Sequence, residues 1–122
     1  MDSQHFEQGA FFIGCNYWAS HAGMFMWRDW DERTVEEDLR RLAQARITTL
    51  RVFPLWSDFQ PLRLHMGAHG EPREERLAET PLAFDEAGCA GVDTVMLERF
   101  RQFCDLAEKY RLKLIVGLLT GW

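Results

Sequence analysis

One arginine lies inside an apolar run of the sequence. Residues 48–53 are rich in β-branched and apolar side chains, which predicts a strand closed by Pro54, and Arg51 interrupts that run. A guanidinium on a buried strand costs much free energy unless it pairs with carboxylates. In such a pair, Arg51 would hold a catalytic carboxylate ionised and oriented through charge-assisted hydrogen bonds. We therefore take Arg51 as a supporting catalytic residue; the alternative is a structural salt bridge or a strand-end arginine that reaches solvent.

Four further residues are candidates for binding substrate. Asn16 follows an apolar, aromatic run at 11–15, and its amide can donate and accept hydrogen bonds, which suits hydroxyl recognition or capping of the loop backbone. Trp18, Trp56 and Trp122 follow three successive predicted strands, and an indole offers a flat apolar face to the C–H face of a sugar ring. Aromatic residues are mostly packing elements, but three at one end of a sheet favour a substrate cleft.

Metal and cofactor chemistry finds little support in the residue spacing. His65 and His69 have the i, i+4 spacing of a metal site on a helix, but Gly67 and Gly70 argue against a helix there. The three cysteines are an odd number without a CxxC pair, so neither a disulfide framework nor a zinc site is indicated. We expect no metal and no cofactor.

The composition excludes several classes of protein. The chain has 122 residues, is 47% hydrophobic and carries a formal net charge of -5, which is typical of a globular domain and gives no electrostatic reason to expect nucleic acid as a partner. Residues 1–9 are polar and lack the basic start and apolar core of a secretory signal. The longest apolar stretch, 114–119, is far shorter than the roughly 20 residues of a membrane-spanning helix. We expect a cytoplasmic protein with no membrane partner.

The elements that must position these residues alternate between strand and helix. Apolar runs predict strands at about 11–16, 48–53 and 113–119. Thr34 and Glu37 have the spacing of a capping box at the start of a first helix, whose charged face at 36–41 is expected to be a solvated surface. Asp93 is the predicted N-cap of a second helix. Proline, glycine and charges scattered through 57–92 predict a long connection without regular elements.

Strands alternating with helices imply right-handed crossovers and a parallel sheet. An open doubly wound sheet would normally carry a glycine-rich phosphate turn after its first strand, and this chain has Asn16-Tyr17-Trp18 there. The fold class is therefore α/β, the first β-α-β-α-β part of a (β/α)8 TIM barrel. Because such a barrel needs eight strands and about 250 residues, we expect residues 1–122 to be an incomplete, N-terminal segment of one domain whose partner is the remainder of the barrel.

Two stretches of the chain resemble glycoside hydrolase family 5 and its cellulase-like and mannanase-like relatives. The run Gly14-Cys15-Asn16-Tyr17-Trp18 is similar to the G-x-N-x-x signature of strand one in that group, and residues 38–53 resemble its first helix and second strand. The resemblance implies that Arg51 hydrogen-bonds the nucleophilic carboxylate. It also implies an acid/base glutamate after strand four and a nucleophilic glutamate at the end of strand seven, both beyond Trp122. Many members have a histidine just after strand three, where this chain has Thr120-Gly121-Trp122.

The function expected from these features is glycoside hydrolysis, with retention of configuration, of a β-linked oligosaccharide or polysaccharide. Hydrolysis normally needs two carboxylates that flank the scissile bond, and no acidic residue ends any of the three predicted strands. The chain would supply part of the substrate cleft and be inactive alone. The alternatives are a non-catalytic carbohydrate-binding or scaffold barrel and a barrel enzyme of other chemistry, such as a phosphate-binding isomerase. Glutamates at the ends of strands four and seven would decide between them.

Overall fold

Residues 9, 11–82 and 91–118 are described in a computed structural model of the chain. Their elements in chain order are β1 (Gly14–Asn16), α1 (Glu32–Gln44), β2 (Thr49–Val52), α2 (Trp56–Phe59), β3 (Leu62–Met66), β4 (Pro72–Leu77), β5 (Thr80–Leu82), α3 (Thr94–Lys109) and β6 (Lys113–Val116). β1, β2 and β6 form a parallel sheet with β2 in the centre. The predicted β-α-β-α-β order is confirmed, with strands shorter than the apolar runs because only part of each run pairs with a neighbour.

One face of the parallel sheet packs against α1 and α3. Leu50 and Val52 of β2 lie on this face and are fully buried, together with Val35 and Leu39 of α1 and Phe103 of α3. Side chains alternate along a strand, so Thr49 and Arg51 point to the opposite face. The chain thus builds a two-layer unit whose core lies between one sheet face and two helices.

Helix α1 begins earlier than its capping-box spacing predicted. The N-cap is Asp31, whose carboxylate accepts hydrogen bonds from Arg33 N at 3.1 Å, Thr34 N at 3.4 Å and Thr34 Oγ1 at 2.8 Å. The prediction that Thr34 caps the helix was wrong because Asp31, three residues before it, is a charged and stronger acceptor. These bonds, first of all that from the Thr34 hydroxyl, lower the pKa of Asp31.

Helix α3 begins where the sequence predicted. Asp93 is the N-cap, and its carboxylate accepts from Val95 N and Met96 N at 3.0 Å each. Leu97 in the first turns of α3 is exposed, whereas Leu106 near its end is buried. Within the described ranges, no helix combines the length and the apolar character that a membrane span needs.

The charged face of α1 is not only a solvated surface. Asp38 accepts hydrogen bonds from Tyr17 Oη at 3.0 Å and from Ser20 N and Oγ at 2.8 Å each, which ties the segment after β1 to the helix. Glu36 pairs with Lys109 at the end of α3. Periodicity reports which residues face solvent in an isolated helix, whereas these two acids meet partners that only the tertiary fold brings near.

The segment after β2 contains regular structure that the sequence analysis did not predict. α2 follows β2 directly, and β3, β4 and β5 pair as an antiparallel sheet, here called the inserted sheet. A strand is indicated by the alternation of apolar and polar residues along Leu62-Arg63-Leu64-His65-Met66. The prediction of a loop gave more weight to the surrounding glycines and prolines and was wrong here. His65 lies on β3 and His69 in the following turn, so the two are not on a helix.

The inserted sheet leaves and rejoins the two-layer unit at one place. Asp93 N donates to Phe59 O at 2.7 Å, and Gln60 Nε2 donates to Gly91 O at 2.8 Å. These bonds bring the end of α2 against the start of α3 although about thirty residues separate them along the chain. Residues 61–82, which include the inserted sheet, therefore belong to an excursion whose base is closed by these two bonds.

Candidate functional site

Two of the predicted site residues are neighbours across the parallel sheet. Asn16 at the end of β1 is in register with Arg51 of β2, and the Tyr17 amide donates to Arg51 O at 2.9 Å. Cys15 and Leu50 form the preceding pair and face the helices. Alternation therefore places the Asn16 and Arg51 side chains together on the sheet face away from the helices, near the carboxyl ends of both strands. That end is where the active sites of (β/α)8 barrels lie.

The Arg51 guanidinium is exposed and lies over an aromatic ring. Its Cζ is 4.9 Å from the centroid of the Phe53 ring, a cation–π distance. The ion pairs found in 11–82 and 91–118 do not include Arg51. The predicted pairing of Arg51 with a carboxylate is thus not met within the described part of the chain. With respect to residues 11–82 and 91–118, the hydrogen-bond donors of the guanidinium are available for an anionic partner.

Trp18 extends this group on the β1 side. Its ring stacks on Phe53 with centroids 5.1 Å apart and an angle of 23° between the planes. Residue 16 ends β1 and residue 18 follows it, and residue 51 lies in β2 and residue 53 follows it. Each pair is two apart, which is the spacing of side chains on one face of an extended chain. Asn16, Trp18, Arg51 and Phe53 form one group, which we call the edge cluster. Phe53 was not assigned a role from the sequence, although its i+2 spacing from Arg51 was the available signal.

The backbone under the edge cluster is held by a buried tryptophan. Trp27 is fully buried, and its Nε1 donates to Phe53 O at 2.9 Å. Its own carbonyl accepts from Arg99 Nη1 at 2.6 Å. The ring also meets four other aromatic rings at centroid distances between 5.3 and 5.8 Å, those of Trp30, Phe59, Phe100 and Phe103. The segment after β1 thus contributes Trp27 to the core as well as Trp18 to the edge cluster.

The other two tryptophans predicted to bind substrate are not in the edge cluster. Trp56 begins α2 and is 47% exposed, and the ring contacts found among the described residues do not join it to Trp18 or Phe53. Trp122 lies outside the described residues. The exposure of Trp56 leaves its ring accessible to a ligand.

A buried carboxylate lies in α2, close along the chain to the edge cluster. Asp58 is 7% exposed and pairs with Arg28 at 3.2 Å between Oδ1 and Nε. Burial raises the pKa of Asp58, and the Arg28 guanidinium opposes that shift. This pair joins α2 to the segment after β1, so the two loops that carry the site residues are held to each other.

A shallow depression of about 300 Å³ lies beside the edge cluster. Asn16 and Trp18 line it from β1 and the segment after it, and Asp38 and Leu42 line it from α1. The depression thus contacts one side of the edge cluster.

Comparison with known proteins shows which solved structures this chain resembles. No protein-family model matches the chain, and no curated protein sequence matches it. Solved structures do match. An exo-β-1,4-mannosidase from Opitutaceae bacterium strain TAV5 superposes with a TM-score of 0.66 and 26% identity over 93% of this chain and 16% of the other.

Two further structures agree with that match. GH5_18 of Bifidobacterium longum subsp. longum, a variant of which was solved with Manβ1-4GlcNAc, superposes with a TM-score of 0.63 and 20% identity over 93% of this chain. GH5_18 of Bifidobacterium longum subsp. infantis has a TM-score of 0.62 and 22% identity over 92% of this chain. This chain covers 22% and 21% of those two chains, respectively.

These matches confirm the fold class and the resemblance at the level of fold. The described residues have the architecture of part of an α/β barrel of the family 5-like glycoside hydrolases, in which strands β1, β2 and β6 are successive parallel members. The chain spans between 16% and 22% of the length of the structures it matches.

Proposed function

We propose that this chain is the part of a retaining glycoside hydrolase that supplies one wall of the substrate cleft, and that the substrate is a β-linked mannoside. The observation that carries the proposal is the edge cluster. An arginine and an asparagine stand side by side at the carboxyl edge of a parallel sheet, with the architecture of family 5-like enzymes around them. The matched exo-β-1,4-mannosidase, at 26% identity, supports the mannoside class.

The proposed role of Arg51 is to support the nucleophilic carboxylate. The guanidinium is exposed on the sheet face away from the helices, and the described residues hold no carboxylate in an ion pair with it. A nucleophile that reaches this face from elsewhere in the barrel would receive two parallel N–H donors and a positive charge. Both stabilise its ionised form and fix the direction of its attack on the anomeric carbon.

The proposed role of the other edge residues is to hold the sugar. The Asn16 amide can donate to one hydroxyl and accept from another, beside the guanidinium. The Trp18 ring, already stacked on Phe53, can offer its other face to the C–H groups of a pyranose. Trp56 and Trp122 are further proposed contacts to the sugar.

The two carboxylates that perform the reaction are proposed to come from later strands. A retaining mechanism needs an acid/base and a nucleophile about 5 Å apart, and no acidic residue ends β1, β2 or β6 among the described residues. The chain alone is therefore expected to be inactive, and its contribution is binding, orientation and charge.

The test is kinetic and uses the full-length protein encoded by the complete gene. We expect hydrolysis of 4-nitrophenyl β-mannoside and of mannobiose, with the β-anomer formed first as followed by proton NMR. Arg51→Met should lower kcat/KM about 100-fold, as expected for loss of a desolvated charge partner. Arg101→Met, which removes an exposed arginine of α3, is the matched control and should retain activity.

Three results would contradict this proposal. Initial release of the α-anomer would exclude retention. Hydrolysis of β-glucosides but not β-mannosides would exclude the substrate class. Sugar binding without turnover would favour the non-catalytic carbohydrate-binding barrel instead.

A further inference from the structure

We propose that Phe53 is a positioning residue that holds the Arg51 guanidinium and the Trp18 ring in their working orientations. This inference rests on the proposed function of Arg51. The observation behind it is that one ring makes both contacts, at 4.9 Å to Arg51 Cζ and at 5.1 Å to the Trp18 centroid.

The need for such a residue follows from the surroundings of Arg51. An arginine has four side-chain torsions, and fixing it costs conformational entropy. On the same sheet face, Arg51 is in register with Asn16 of β1 on one side and with Ile115 of β6 on the other. Lys113, two residues before Ile115 on β6, is on this face too and is in register with Thr49. None of these neighbours is an acid, so the described strands offer Arg51 no salt bridge on this face. The Phe53 ring is the contact that orients the guanidinium before an anion binds.

Phe53 itself is fixed from below. Its carbonyl accepts the Trp27 indole N–H at 2.9 Å, and Trp27 is fully buried within the aromatic core. The ring therefore stands on a backbone that packing holds in place, just beyond the last hydrogen-bonded residue of β2. A rigid base under a flexible cation is the arrangement that preorganises a site.

The same ring links the charge site to the sugar platform. Trp18 belongs to the segment after β1 and Arg51 to β2, and Phe53 contacts both. Removing the ring would free the guanidinium and the indole together. A change at Phe53 should thus affect kcat through Arg51 and KM through Trp18.

The experiment compares Phe53→Leu, Phe53→Tyr and Phe100→Leu in the full-length protein. Phe100 packs on Trp27 at 5.8 Å, and the ring and cation–π contacts found among the described residues do not join it to Arg51 or Trp18, so Phe100→Leu is a matched loss of one core-edge ring. For Phe53→Leu we expect kcat/KM to fall about tenfold, and the acidic limb of its pH profile to move to higher pH, since a misplaced guanidinium lowers the pKa of the nucleophile less. Phe53→Tyr should keep the wild-type limb.

The outcomes separate this inference from the proposed function. An acidic limb that moves for Phe53→Leu, but not for Phe53→Tyr or Phe100→Leu, supports the positioning role. If the wild-type protein hydrolyses mannosides and Phe53→Leu leaves the limb where Phe100→Leu leaves it, the positioning role is overturned and the hydrolase remains. If the wild-type protein hydrolyses no glycoside, the hydrolase proposal is overturned, and the positioning role with it.

Discussion

At the scale of single residues, two tryptophans of the segment after β1 have different structural roles. Trp18 lies half-buried at the sheet edge and stacks on one ring, whereas Trp27 is fully buried and contacts four. The difference is one of hydrogen bonding as well as packing, because the Trp27 indole N–H is satisfied by Phe53 O. Trp27 is thus a structural residue on which the edge cluster depends.

Replacing Trp27 tests that dependence. Trp27→Phe removes the indole N–H and leaves the Phe53 carbonyl without its donor, so we expect the free energy of unfolding to fall by about 1–3 kcal/mol. Urea denaturation of the full-length protein followed by circular dichroism would measure the change. Trp56→Phe, at an exposed site, should change it by less than about 0.5 kcal/mol. Equal effects of the two substitutions would show that the Trp27 hydrogen bond contributes nothing.

A second residue-scale prediction concerns alkaline pH. Burial first, and then the charge and hydrogen bond of Asp38, raise the pKa of Tyr17 above its ordinary value of 10.0. The unfolded chain then loses the Tyr17 proton at lower pH than the folded chain, so stability is full below pH 10 and falls as pH rises above it. Tyr17→Phe should flatten that decline in chemical denaturation measured between pH 8 and 11.5.

Tyr110 provides the control for this measurement. Its pKa is also raised, first by its hydrogen bond to Glu36, but the residue is only half-buried, whereas Tyr17 is buried. Tyr110→Phe should therefore leave most of the alkaline decline in place. A decline that is the same in wild-type protein and Tyr17→Phe would refute the assignment of that decline to Tyr17.

At the scale of elements, the inserted sheet is the feature that distinguishes this chain from a minimal β-α-β-α-β unit. β3, β4 and β5 pair with each other and make no extensive contact with the described helices or parallel strands. Leu62, Leu64 and Met66 on β3 are all exposed. The base of the excursion is closed by bonds from Asp93 N and Gln60 Nε2, so we expect the two-layer unit to be stable without the inserted sheet.

Excision of the insertion tests that independence. Joining Gln60 to Gly91 in the full-length protein should leave the far-ultraviolet spectrum helical and shift Tm by no more than about 5 °C, because a long loop is replaced by a short one across an existing contact. The excised protein with Asp93→Ala is the comparison, and it should melt lower because α3 loses its N-cap. Loss of cooperative melting on excision alone would show that the inserted sheet stabilises the rest.

At the scale of the whole molecule, large apolar side chains are exposed within the described ranges. They include Phe11, Leu64, Ile115 and Leu118. Ile115 lies in register with Arg51 on the sheet face away from the helices, which in a barrel is the packed interior.

The behaviour of the 122-residue chain alone follows from that surface. We expect it to associate and to bind 8-anilinonaphthalene sulfonate, because an apolar sheet face and unpaired strand edges are exposed. Analytical ultracentrifugation and dye fluorescence would measure both, with the full-length protein as the control. A monomeric chain that melts cooperatively and binds no dye would contradict this expectation.

The sequence by itself determined the order of β1, α1, β2, α3 and β6 and the placement of two candidate site residues. Asp93 marks the start of α3, and the run around Leu50 marks a buried strand, because capping and alternation are local properties of the chain. Strand order then brings Asn16 and Arg51 to one edge, since parallel strands carry their carboxyl ends to the same side.

Only the tertiary structure decided how the site is assembled. The Phe53 ring contacts both Arg51 and Trp18, whereas Trp27 packs in the core. These roles depend on which rings meet across different elements. Asp38 likewise accepts a hydrogen bond from Tyr17, which lies 21 positions before it in the sequence. Local spacing predicts an element and its faces, whereas contacts between elements depend on the packing of the whole unit.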